Sequence, residues 1–179
     1  LPGLSFAGQQ ETFLNVRGAD NVVKAVQECW TSLWTARAIA YRHEMGVPQE
    51  VVAMSVVVQQ MVLAEAAGIL FTANPATGER GEMIINASFG LGEAVVGGQV
   101  TPDTYIFDRN KMAVSETTIG PKEQQIIADG EQGTKLADVP EADRGRSSLA
   151  DDSIMALAEL ATKVEAHFEG RPQDIEWAI

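Results

Sequence analysis

The sequence is poor in cysteine and in positive charge. Cys29 is the one cysteine among 179 residues, which excludes an internal disulfide and a cysteine-built metal cage and fits a reducing cytoplasm. Lys and Arg number 13 against 25 Asp and Glu, a net charge of -12. So acidic a surface repels phosphate backbones, and nucleic acid is not expected as a partner. No apolar run approaches the roughly 20 residues that cross a bilayer, so no membrane is expected either. Several chemical signatures are also missing. There is no G-x-x-x-x-G-K-[ST] phosphate loop and no G-x-S-x-G nucleophile elbow, and Gly90, Gly92, Gly97 and Gly98 do not fit G-x-G-x-x-G. His43 and His167 sit in helical patterns and read as surface or helix-end residues. The chain opens Leu1-Pro2-Gly3 and stops at Ile179 within an apolar stretch, which leads us to expect a piece of a longer polypeptide.

What is present has a clear order. Phe13–Val16 reads as a short strand, and Asp20 as the N-cap of a helix whose stripe holds Val22, Val23, Val26, Trp30, Leu33, Trp34, Arg37 and Tyr41. In that reading the tryptophans anchor a core, Cys29 is a small core residue, and Arg37 and Arg42 lie on a solvated or salt-bridged edge. Val51 to Val62, interrupted only by polar Ser55, Gln59 and Gln60, reads as a strand buried on both faces. Residues 67–87 read as a hairpin whose turn is Asn74-Pro75-Ala76-Thr77-Gly78. Further strands are expected at Thr104–Phe107, 112–118 and 123–128, and an exposed loop at 129–148. A helix from Asp151 with the face Ile154, Leu157, Ala161, Val164 and Phe168 follows, then a strand Asp174–Ala178. The fold class is α+β, a largely antiparallel sheet flanked by helices, and a single domain over 1–179 is expected.

Three polar features stand where apolar residues would serve a core better. Gln59 and Gln60 close the valine run, and strict alternation turns one of them inward. That buried amide would bond a neighbouring loop or read a purine edge. Asp174 and Glu176 share one face of the last strand, where two carboxylates either face solvent or hold Mg2+, a cation that prefers oxygen ligands. Residues 3–12, bounded by Gly3 and Gly8, would either let backbone N–H groups cradle a phosphate or do no more than begin the chain.

These features occur together in a known family. Leu1-Pro2-Gly3, Ser5-Phe6-Ala7-Gly8-Gln9-Gln10-Glu11-Thr12 and Asn15-Val16 resemble the ATP-binding domain of phosphoenolpyruvate synthase, shared with rifampin phosphotransferase and, more distantly, pyruvate, phosphate dikinase. The likeness continues through Val57–Val62, Gly68–Pro75 with Thr77-Gly78, Ala87–Val96, Pro102-Asp103 and Gly170–Trp177.

The resemblance implies an ATP-grasp lobe with ATP and Mg2+ as cofactors. It implies Gly8 and Thr12 at the phosphates, Gln59 at the nucleotide, and Glu176 as a nucleotide and Mg2+ ligand. ATP would give its β-phosphoryl group to a histidine on a separate domain of the same parent chain, and an acceptor domain would pass it to pyruvate or, in the rifampin enzyme, to the antibiotic. The family's lysine, its arginines and its phosphohistidine have no counterparts here, so the piece alone is expected to be inactive. A non-catalytic nucleotide-binding or scaffolding module is the reading from another class.

Overall fold

A computed structural model describes residues 10–179. The chain divides into two compact units, one running to Met61 and including Ala128–Thr134, the other comprising Val62–Ile127 and Lys135–Ile179.

The first unit is built on two helices, α1 (Ala19–Thr31) and α2 (Ala36–Glu44). Gly18, at φ 85, leads into α1 in a conformation other residues avoid, so Asp20 lies inside the first turn and is not the cap. Thr35 does cap α2, accepting a bond from the Ala38 amide at 3.3 Å. The expected core of tryptophans is not formed. No residue of α1 is buried, Cys29 included, and Trp30 and Trp34 are 49% and 58% exposed. Arg42, expected at a solvated edge, is instead the buried residue, 1% exposed. Its guanidinium bonds Gln49 Oε1 at 2.7 Å and the Leu33 carbonyl, and lies 5.7 Å from the centroid of the Trp34 ring. An Arg so satisfied can be buried, while among the described residues of this unit no sheet covers the large indoles.

Two expected strands are absent here. At Phe13–Val16 the backbone turns, because Asn15 takes φ 52 and is buried, its amide Nδ2 donating to the Gly133 carbonyl at 2.9 Å. Val52–Met61 runs without strand pairing, and Val57 and Val58 are 83% and 64% exposed. A valine run becomes a strand only when a ladder partner is present, and the described residues offer none.

The second unit carries the sheet. In chain order this unit holds β1 (Ala66–Phe71), β2 (Glu82–Phe89), α3 (Glu93–Val96), β3 (Asp103–Asp108), β4 (Ala113–Thr118), all but the last residue of β5 (Gln124–Ala128), all but the first of β6 (Thr134–Asp138), α4 (Glu141–Arg144), α5 (Asp151–His167) and β7 (Asp174–Ala178). Five of the strands form one antiparallel sheet in the order β4-β3-β2-β1-β7, and β5 pairs with β6. The expected hairpin is β1 and β2, and Asn74 builds its turn by accepting from the Ala76 amide at 3.0 Å. The stretch 129–148, expected as a loop, contains β6 and α4. Its low apolar content hides a hairpin strand that needs backbone pairing more than burial.

Helix α5 covers one face of the sheet. Ile154, Ala158 and Ala161 pack with Leu70, Met83, Ile85, Tyr105 and Phe107, while Leu157 and Val164 are half-buried and Phe168 is exposed. Beside this core lies a buried ionic knot. Asp103 and Lys122 form a fully buried pair. Asp103 also accepts from the Gly120 amide at 2.9 Å, the Ser148 amide and hydroxyl at 2.7 Å each, and the Tyr105 hydroxyl at 3.2 Å. Burial pushes the Tyr105 hydroxyl pKa up. Removing one member of such a pair strands the other charge, which costs about 3–5 kcal/mol. Lys122→Met is therefore expected to lower the unfolding free energy by about that amount in urea titration.

Candidate functional site

Alternation in β7 sorts four side chains. Ile175 and Trp177 are half-buried against the core, and Asp174 and Glu176 project from the opposite face and are exposed. The apolar pair therefore fixes which way the carboxylates point. Among the described residues β7 is laddered to β1 alone, with Phe71 opposite Asp174 and Ile69 opposite Glu176. Residues directly opposite share a face. That face carries a row from exposed Glu176 through half-buried Ile69 and Asn86 to Thr104, where the Asn86 amide donates to the Thr104 hydroxyl at 2.8 Å.

The glycine cluster is a packing device. Gly90 has φ 76, and a Cβ there would meet the Ile126 carbonyl at 2.4 Å. That close approach lets the Leu91 amide bond Ile126 at 2.8 Å and docks β5 against the end of β2.

The sequence-predicted site residues are divided between the units. Thr12 and Gln59 belong to the first and Glu176 to the second, while Gly8 lies outside the described residues. Thr12 and Gln59 are both exposed, and so is Gln60. The expectation that one glutamine turns inward fails, because alternation buries a residue only when a sheet packs on that side.

Asp174 and Glu176 suit a hard divalent cation in part. Among the described residues no group of three or more His, Cys, Asp or Glu converges, so the unit offers two carboxylates. Mg2+ keeps several waters and is commonly held by one or two carboxylates together with substrate phosphates. The donor set fits such an ion when it arrives on a nucleotide, and does not form a closed protein cage.

The match to known proteins decides the lineage. The family model described as "Pyruvate phosphate dikinase, AMP/ATP-binding domain" matches residues 1–179. The chain belongs to this family. Its relatives include a probable phosphoenolpyruvate synthase of Pyrococcus horikoshii, 48% identical over 184 residues and covering 99% of this chain. The phosphoenolpyruvate synthase of Pyrococcus furiosus is also 48% identical, and a probable one of Archaeoglobus fulgidus is 49% identical over 179 residues. The chain spans only 22% of the length of each Pyrococcus protein and 23% of the Archaeoglobus one. The dikinase-family lineage expected from the motifs is thus the observed one, as is the α+β class.

Because Glu176 is exposed, its replacement is a surface change. Glu176→Gln is expected to shift unfolding free energy by no more than about 0.5 kcal/mol in thermal or urea melts.

Proposed function

We propose that this chain is the ATP-binding part of a phosphoenolpyruvate-synthase-type dikinase. The reading rests on one juxtaposition: a nucleotide-binding family match over the whole chain and, in the last strand, an exposed carboxylate pair turned away from the core by Ile175 and Trp177. The names of the relatives favour pyruvate over rifampin as the acceptor.

In this reading Gly8 and Thr12 bind the phosphates, Gln59 binds the nucleotide, and Glu176, with Asp174 beside it, holds Mg2+. The cation would neutralise charge that develops on the phosphoryl oxygens. The chain's own residues bind and orient. Phosphoryl transfer requires in-line positioning more than covalent help, so exposed, directional carboxylates suffice for this part. The β-phosphoryl group passes to a histidine on another domain, then to pyruvate. His43 lies in α2 and His167 ends α5, its ring edge-on to Phe168 at 5.3 Å, and neither takes that role.

In the full-length protein, Glu176→Gln is expected to cut phosphohistidine formation by about 100-fold or more. Near wild-type labelling from β-32P-ATP would refute the assignment. Residues 1–179 alone carry a net charge of -12 and are expected to bind Mg-ATP in the millimolar range or not at all. Calorimetry giving a micromolar constant, about -8 kcal/mol, would show that this segment's own donors suffice.

A further inference from the structure

We infer that Thr72 is the positioning residue for Glu176, setting the place of the cation-binding carboxylate through the first residue before β7. The inference rests on the reading of Glu176 as a ligand. It begins at the entry to β7. β7 is laddered to β1 over the five pairs from Phe71–Asp174 to Ala67–Ala178, so the contacts that hold its entry also hold the register that directs its outward side chains.

At that entry the hydrogen bonding is rearranged. In a regular antiparallel pair, Thr72 and Gln173 would exchange N–H to C=O bonds through their backbones. The Thr72 amide does donate to the Gln173 carbonyl, at 3.0 Å. The return bond is different: the Gln173 amide donates to the Thr72 hydroxyl at 2.8 Å. The Thr72 carbonyl accepts instead from Arg109 Nη1 at 3.0 Å. The side chain has taken over the ladder position that the carbonyl gave up.

Arg109 makes this a clamp. Its other terminal nitrogen pairs with Glu165 Oε2 at 2.6 Å, and its backbone amide donates to the Gly81 carbonyl at 2.9 Å. Glu165 lies near the end of α5, only 7% exposed, and its own carbonyl accepts from the Gly170 amide at 2.9 Å. The segment leading into β7 is thereby held at Gly170 by α5 and at Gln173 by Thr72. Glu176 follows three residues after Gln173. Thr72 is wholly buried, so water cannot replace its hydroxyl, and an apolar substitute leaves the Gln173 amide unpaired.

The test uses the full-length protein with Thr72→Val, nearly the same shape without the hydroxyl, and Thr72→Ser, which keeps it. Binding of Mn2+ with ATP is measured by electron paramagnetic resonance, and amide hydrogen exchange at Gln173 reports the bond itself. Thr72→Val is expected to speed Gln173 exchange and to weaken Mn-ATP binding about tenfold, with thermal melting still cooperative. Thr72→Ser is expected to stay within about twofold of wild type on both readouts. Thr72→Ala, which needs no room for a second methyl, is expected to behave as the valine variant does. Unchanged exchange at Gln173, or Mn-ATP binding within twofold of wild type once exchange has risen, overturns the inference. Glu176→Gln measured alongside separates the two readings. If it binds Mn-ATP normally, the assignment of Glu176 falls and takes this inference with it. If it loses binding while Thr72→Val keeps it, only the role of Thr72 falls.

Discussion

The second unit depends on the alternation within β7 more than on any other feature. Ile175 and Trp177 gain by leaving water for the surface formed by Leu70 and α5, at about 25 cal/mol for each Å² of apolar surface removed from solvent. Because side chains alternate, that gain sets the direction of Asp174 and Glu176 as well. A slip of one residue would bury both carboxylates and expose an indole, which no local hydrogen bond could offset. The hydrophobic pair is thus the orienting device for the polar one, although it touches no ligand in the proposed site.

A second constraint acts at the other side of the sheet. The Asp103–Lys122 pair gathers β3, the segment through Gly120 and the segment through Ser148 around one carboxylate. A buried pair of this kind is weak as a source of stability, since desolvation consumes much of the attraction. Its geometric demand is strong. Five donors must reach Asp103 at once, and Lys122 meets it with φ 39, a backbone conformation rare outside glycine. We read the knot as specifying where these connections run, with the apolar core supplying the cohesion.

Legibility from sequence followed the presence of a partner. The hairpin at 67–87, the strand at 174–178 and the face of α5 apart from exposed Phe168 were readable, because each packs against residues within the same unit and its period survives in the structure. The valine run failed for the complementary reason. Its composition states what it would bury but not against what, and no ladder partner is described for it. Trp30, Trp34 and Gln59 failed likewise. Arg42 failed in the opposite sense, since the acceptors that allow its burial, Gln49 and the Leu33 carbonyl, leave no pattern in the sequence. The outward direction of Asp174 and Glu176 was legible by alternation, whereas Thr72 and Arg109 make single hydrogen bonds between distant segments, which no periodicity records.

Exposure of the carboxylate pair also bears on how a cation would be held. In water two unit charges 4 Å apart attract by about 1 kcal/mol, against about 4 kcal/mol at the effective dielectric near a protein surface. Asp174 and Glu176 are exposed, so their attraction for a bare divalent ion lies toward the weaker limit and is further screened by salt. Direction survives where strength does not. A cation already bound to a triphosphate brings its own anionic ligands and needs from the protein only one or two oxygens in a fixed place. An outward-facing pair on a strand can provide that, if the strand's register is held. This is why the proposed site makes physical sense as a surface for a metal–nucleotide complex and not as a store for the metal, and why the hydrogen bonds at the entry to β7 matter as much as the carboxylates they aim.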